Sequence, residues 1–311
     1  MTTPLEFDNV FFDPEWVAPF RELHEREYIA DVLRALRTEL GDDFDAHQFI
    51  YYSSDGCRRP PLPIVLTDPR PAILIWGGDQ TAVRPASMAR IFKAVFKTHL
   101  EGDRVGDGYH HLPLGCAAHV PHLPSVPVSE RPVDVFFSGN LNAARIDLYC
   151  ATHRLPTGLQ PAIRRLNLSR FRSALMRWAP SVPSSWQIRF TAGFAQGLTG
   201  ESYADALQVS KFSICPPGFH RNETFRHFEA MRAGSIPVSL PLPDNRAYRG
   251  APILTVSDWS HLRDAIRSEL SDPEGLAQRQ RAVLDWWSTM CSPTAVAAYM
   301  AECIRSAPGR S

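Results

Sequence analysis

The sequence predicts an α/β protein built from two blocks of mostly parallel sheet and helix. Three observations predict it. Short apolar runs closed by turn-type residues recur along the chain, and amphipathic stretches alternate with them. A window from Leu112 to Pro132, holding Pro113, Pro121, Pro124, Pro127 and Pro132, divides that alternation in two. The 311 residues suit roughly two domains of about 150 residues each. The expected division is a first domain over 1–118, a linker over 119–132 and a second domain over 133–290. Residues 291–311 are expected as a C-terminal helix or tail, with the first domain as its packing surface.

The elements follow in order. Residues 21–40 place Leu23, Tyr28, Ile29, Val32, Leu33, Leu36 and Leu40 at helical spacing, with Gly41 as a stop. Phe49–Tyr52, Ile64–Thr67 and Ala72–Trp76 are short enough to be strands buried on both faces. Met88–Leu100 fits helix or strand equally. Val133–Ser138 predicts the first strand of the second block, followed by a helix around Ala143–His153. Ile163–Trp178 is amphipathic and carries five arginines without an acid. Strands are expected at Trp186–Phe190, Phe212–Cys215, Ile236–Leu240 and Ile253–Val256. Helices are expected at Tyr203–Val209, at Glu223–Ala233 and from His261.

Composition excludes several classes. Thirty-three Lys and Arg balance 33 Asp and Glu, which removes the electrostatic case for a nucleic-acid partner. A 44% hydrophobic content argues against global disorder. Cys57, Cys116, Cys150, Cys215, Cys291 and Cys303 form no CxxC pair, so they are expected as reduced, mostly buried thiols. Met1–Phe20 is acidic and broken by prolines, without the layout of a signal peptide. No apolar run approaches about 18 residues, so no membrane span is expected. The expected location is the cytoplasm.

One stretch carries the chemistry: Tyr203–Trp259, centred on KFSICPPGFHRNETFRHFEAMRAGSIPVSL. A buried strand, Lys211–Cys215, ends at Pro216-Pro217-Gly218. A loop then leads to a helix opening near Asn222, a favoured N-cap, with Glu223 in the first turn. Arg226 and Glu229 share one face of that helix with Ala230 and Ala233. Gly234 is the expected left-handed stop. A loop at the carboxyl end of a strand, opening onto a helix N-terminus, is where α/β proteins hold phosphate.

Ser210, Lys211-Phe212, Cys215-Pro216, Gly218, Arg226, Glu229-Ala230, Gly234 and Ile236-Pro237-Val238 together resemble the signature of exostosin-like glycosyltransferases. Asp258-Trp259 is similar to the aspartate-tryptophan pair that commonly follows it. The resemblance covers about 57 residues. It departs at Ser235, where exostosins often carry Cys, and in the loop Phe219–Glu223. The resemblance implies a GT-B architecture, two Rossmann-like domains facing a cleft, and an inverting reaction. It implies that Arg226 meets the donor diphosphate and Glu229 the ribose. Pro217, Gly218, His220, Arg221, Asn222, Glu223 and Thr224 are the further candidates for donor binding.

An inverting transfer needs a group to take the acceptor's proton. Asp79, after the apolar run Ala72–Trp76, and Asp55, before Gly56, are the candidates in the first domain, and either equally suits an ordinary turn. His110-His111, His119 and His122 lack a third ligand at metal spacing, so neither metal nor cofactor is expected. Asp42-Asp43-Phe44-Asp45 reads as a solvated turn. The arginines of 163–178 offer peripheral contact with an anionic membrane or acidic glycan, or a solvated face.

The sequence therefore supports a metal-independent inverting glycosyltransferase with a nucleotide-sugar donor, a UDP-sugar foremost. Its acceptor would be an oligosaccharide, polysaccharide or glycoconjugate, which suggests polysaccharide biosynthesis. The alternatives are another GT-B enzyme, a nucleotide-sugar epimerase or hydrolase, or a catalytically silent binding partner.

Overall fold

The computed structural model describes residues 7–12, 23–56, 69–102, 107–153, 155, 163, 174–193 and 196–307, excepting the side chains of 53–56 and 79. In chain order the first elements are β1 (Val10–Phe12), α1 (Arg26–Leu40), α2 (Asp42–Asp45), β2 (Gln48–Gly56), β3 (Ala72–Asp79), α3 (Ala86–Ile91), β4 (Ala94–Lys97) and β5 (Tyr109–His111). There follow β6 (Val133–Asn140), α4 (Ile146–His153), β7 (Trp186–Thr191), α5 (Gly200–Gln208), β8 (Ser210–Ile214) and α6 (Phe225–Ala233). The chain ends with β9 (Ile236–Ser239), β10 (Leu254–Thr255), α7 (Leu262–Leu270), α8 (Pro273–Trp286) and α9 (Pro293–Ser306).

The chain forms two compact units. Unit 1 comprises 1–118, 243–249 and 288–311; unit 2 comprises 119–242 and 250–287. Unit 1 holds a parallel sheet in the order β1-β2-β3-β4-β5. Ile73, Leu74 and Ile75 in its central strand are at most 1% exposed, as expected for a strand covered on both faces. Helix α1 turns Val32, Leu33 and Leu36 inward and packs against α9, whose Val296, Ala297 and Met300 are fully buried. Residues 291–311 thus belong to unit 1, where Tyr28 Oη donates to the Cys291 carbonyl at 2.7 Å.

Several expectations change. Val10–Phe12, inside an acidic and proline-broken terminus, pairs in parallel with Phe49–Tyr51. The ambiguous stretch Met88–Leu100 is neither helix nor strand alone, because α3 ends at Ile91 and β4 begins at Ala94. His110 and His111 lie on strand β5. Ile64–Thr67 and most of the arginine-rich 163–178 stretch lie outside the described residues.

Unit 2 holds a second parallel sheet, in the order β10-β9-β8-β6-β7. The chain adds β7 on one side of β6 and then crosses to place β8 on the other. That reversal makes the β6/β8 junction a topological switch point, outside whose carboxyl ends ligands bind.

The stretch expected as a linker, 119–132, is built into unit 2. Arg131 is 2% exposed and has no acidic partner among the described residues. Its guanidinium donates instead to the carbonyls of Val126 (2.9 Å), Ser210 (2.7 Å) and Ala233 (2.7 Å), more distantly to Leu207 (3.3 Å), and to Ser125 Oγ (3.2 Å). Burial pushes its pKa down to about 10. Gln280 completes the fastening, accepting from Val128 N–H at 2.7 Å and donating to Val126 and Gly234 carbonyls. Replacing Arg131 with Met would leave several buried carbonyls unpaired, each costing about 1–3 kcal/mol. We expect Arg131→Met to lose at least about 3 kcal/mol in urea unfolding, and Arg131→Lys to recover little, since an ammonium lacks the planar fork. An unchanged unfolding midpoint would refute this role.

Candidate functional site

The carboxyl ends of β6 and β8 meet at the switch point, and two arginines tie them together. Arg145 follows β6 on a 3-10 turn, Ala143–Arg145, and is 3% exposed. Its Nε donates to the Pro217 carbonyl in the loop after β8 at 3.0 Å. Its Nη1 donates to the backbone and side-chain oxygens of Asn140 at 2.9 and 2.6 Å. Arg226, in the first turn of α6, reaches the other way, with Nη2 donating to the Ser138 carbonyl at 3.0 Å. Its guanidinium lies 5.8 Å from the Phe137 ring centroid. Gly139 permits this crowding, because a Cβ there would stand 2.7 Å from Arg226 Nη2 and 3.1 Å from Arg145 Nη1.

Two like charges therefore share a largely dry corner. Burial, and after it the charge of Arg226, pushes the Arg145 pKa down to about 9. Polar groups there are also left unspent. Arg226 Nε and both side-chain atoms of Asn142, which is 7% exposed in the turn after β6, are buried without a hydrogen-bond partner among the described residues. Paired guanidinium groups with unspent donors beside a helix N-terminus suit an anion with several oxygens.

Helix α6 opens later than expected. Thr224 is its N-cap, and the Thr224 N–H donates to Nδ1 of His227 at 3.2 Å in a capping box. Asn222 lies two residues before that cap, and its side-chain N–H donates to the Pro241 carbonyl at 2.7 Å. Glu223 lies before the helix and is 2% exposed. The helix closes as expected on Gly234 at φ 67°, with Ser235 N–H donating to Ala230 and Gly234 N–H to Met231, a Schellman motif. Asp258 caps a short 3-10 turn at Trp259–His261 by accepting from Ser260 N–H at 2.8 Å, so Asp258-Trp259 has a structural role.

The other sequence candidates fall as follows. Glu229 is 4% exposed on α6, and its charge acts with that of Arg226 on Tyr203 and Cys215. Burial, and then Glu229, drives the Tyr203 hydroxyl well above its ordinary pKa. Burial likewise pushes the Cys215 thiol up, so it is inert. Pro217 is buried and joined to Arg145, while Gly218 N–H donates to the Arg221 carbonyl at 2.7 Å in a tight loop. His220 is exposed and Arg221 half-buried. The backbone ends of β2 and β3 lie side by side, with Gly56 opposite Asp79, which places Asp55 and Asp79 at one edge of unit 1. Their side chains lie outside the described atoms.

Sequence reasoning missed Arg145, Asn142 and Gly139, which are ordinary until β6 pairs with β8. It also missed Glu25, the half-buried N-cap of α1, which accepts from the buried Tyr51 hydroxyl. Both groups press on Gly77, where a Cβ would stand 2.6 Å from Tyr51 Oη and 3.0 Å from Glu25 Oε1.

Comparison with known proteins agrees with this geometry. Residues 193–295 match the family described as the RXYLT1 C-terminal domain. This segment, about a third of the chain, coincides with the stretch that resembles the exostosin-like glycosyltransferases. It contains β8, the loop, α6 and β9, and therefore Arg226 and Glu229. Each unit also carries the parallel Rossmann-like sheet expected of a GT-B glycosyltransferase. Among solved structures, an alpha-glucosyltransferase in complex with UDP and a 13-mer DNA containing an HMU base is similar at 11% identity, covering 88% of this chain and 83% of that one, with a TM-score of 0.48. AviGT4, a glycosyltransferase involved in avilamycin A biosynthesis, is similar at 12% identity, covering 92% and 90%, with a TM-score of 0.42. No curated protein matches the chain.

The cap of α6 makes unit 2 sensitive to acid. His227 is fully buried, its Nε2 lies 2.9 Å from Ser239 Oγ, and burial holds its pKa down to about 4. In the unfolded chain the ring titrates near ~6.5, so the unfolded state binds the extra proton between those values. Stability is therefore full above about pH 6.5 and falls toward pH 4, by on the order of 3 kcal/mol. Unfolding measured from pH 7 to 4.5 should show that slope, and His227→Gln should flatten it. An equal slope in both proteins would remove His227 as its source.

Proposed function

We propose that the protein is an inverting glycosyltransferase that moves a sugar from a nucleotide-sugar donor, foremost a UDP-sugar, to a glycan or glycoconjugate acceptor. The observation that carries this reading is the pair Arg226 and Arg145 at the β6/β8 switch point, beside the unspent donors of Arg226 Nε and Asn142. A departing nucleoside diphosphate gains negative charge as the glycosidic bond breaks. Fixed cations and a helix N-terminus aimed at that charge stabilise the transition state more than the ground state. Arg226 takes this role directly. Arg145, with Nε and Nη1 already engaged, holds the loop from Pro217 in place. In this reading the guanidinium groups supply what a metal ion supplies in other transferases.

Glu229, fixed three residues after Arg226 on the same helix, accepts from the ribose hydroxyls of the donor. The acceptor hydroxyl loses its proton to a carboxylate. Asp79 and Asp55 are candidates by position, and Glu25 joins them because Tyr51 holds its carboxyl at a fixed place.

Three variants separate these roles. Arg226→Ala is expected to lower kcat by about 10²–10³-fold, the cost of one donor aimed at developing charge. Glu229→Gln is expected to weaken nucleotide binding by about tenfold or more, with a smaller effect on turnover at saturating donor. Of Glu25→Gln, Asp55→Asn and Asp79→Asn, one is expected to abolish transfer while leaving nucleotide affinity intact. The first measurement is thermal shift with UDP, GDP, CMP and their sugar conjugates. A ligand at about 100 times its Kd adds roughly 2.7 kcal/mol. A shift with one nucleotide that disappears in Arg226→Ala supports the donor site, and no shift with any of them counts against it.

A further inference from the structure

Unit 2 has a second recess, on the far side of β6 from β8. Helix α4, the segment 175–180 and edge strand β7 enclose a cavity of about 320 Å3. That is at the lower end of ligand-pocket sizes. Its wall is aromatic: Tyr149 stacks on His153 at 3.8 Å and meets Phe190 edge-on at 5.3 Å. Phe190 packs on Phe137 at 5.0 Å, and that ring pair separates the recess from Arg226.

The polar groups of the wall are already spent. Tyr149 Oη donates to the Leu175 carbonyl at 2.7 Å, and the His153 ring lies between the Tyr149 and Trp178 carbonyls at 2.8 and 3.2 Å. What remains is the rim. Trp178 is 54% exposed, and the exposed guanidinium groups of Arg177 and Arg189 make no ion pair or hydrogen bond with the described residues. Among the described residues no carboxylate or carboxamide lines the cavity. A ligand that fits must therefore be rich in acceptors, carry negative charge and offer a flat apolar face.

We propose that this recess binds an anionic saccharide, a pyranose bearing carboxylate or phosphate groups, stacked on Trp178 and held by Arg177 and Arg189. A nucleobase fits less well, since no carboxylate or carboxamide among the described wall residues reads its edge. A bilayer surface fits less well too, since the rings form a recess and not a protruding face. The assignment stands on these side chains and does not need the transferase reading.

The test is calorimetric titration of the whole protein with an oligogalacturonate, a phosphorylated oligosaccharide and a neutral oligosaccharide of equal length. Phosphatidylserine vesicles and UDP complete the panel. One or both anionic oligomers should bind at least tenfold more tightly than the neutral one, and which of them binds identifies the charged group. Arg177→Ala/Arg189→Ala and, separately, Trp178→Ala should each weaken that binding tenfold or more while the melting temperature holds, as all three side chains are exposed. UDP at saturation should leave it unchanged. Equal binding of the neutral oligomer, competition by UDP, retention of binding in the variants, binding to vesicles alone, or no binding at all would each overturn the proposal.

Discussion

Unit 2 depends on buried guanidinium groups whose partners are carbonyl oxygens in place of carboxylates. Arg131 fastens the entry to β6, the end of α5, the start of β8 and the end of α6 in a single fork. Arg145 and Arg226 do the same at the opposite end of those strands, each crossing from one strand's loop to the other. Removing such a charge from water is costly, and carbonyl dipoles offset that cost only in part. An arginine held this way is retained because its fixed fork joins several chain segments at once. The fork also commits those segments to one geometry.

The two ends of the sheet use that geometry differently. At the amino end all the donors described for Arg131 are engaged, so the result is a rigid junction with nothing left to offer. At the carboxyl end the engagement is incomplete: Arg226 Nε and the Asn142 amide are buried and unspent, and burial, then the charge of Arg226, lowers the tolerance of Arg145 for its own charge. A folded protein seldom keeps unspent buried donors without a reason. An anion at the switch point removes the repulsion and fills the vacant bonds together. The neutral cap of His227 keeps the first turn of α6 fixed beside that place without adding a third positive charge.

Much of this was legible in the sequence, and the limits are physical. Strand–helix alternation and the Pro-Gly loop before an Arg-x-x-Glu helix are local patterns, so the parallel blocks, α6 and the Gly234 stop could be read directly. The start of α6 was misplaced because Asn222 has the residue type of a cap, while the capping box is closed two residues later by Thr224 with His227, and the Asn222 side chain turns to donate to Pro241, nineteen positions away. The stretch 119–132 looked like a linker because prolines signal a break. Its fate was decided by Arg131 reaching carbonyls as distant as Ala233. Strand β1 was hidden by the acidic, proline-rich setting of three residues that only the edge of β2 makes into a strand.

The residues missed at the candidate site share a cause. Arg145, Asn142 and Gly139 lie in or just after β6, 65 to 71 positions before Ser210, where the motif that resembles a known family begins. Nothing in their neighbourhood marks them. They become a site only because β8 crosses β6 and lands beside it, so that the loop after one strand and the turn after the other occupy the same corner. Gly139 shows this most directly: its missing side chain matters only once two arginines from different loops arrive above it. A motif records the half of a binding site that is contiguous in sequence. The strand order supplies the other half, and in this sheet the reversal at β6 selects which residues complete it.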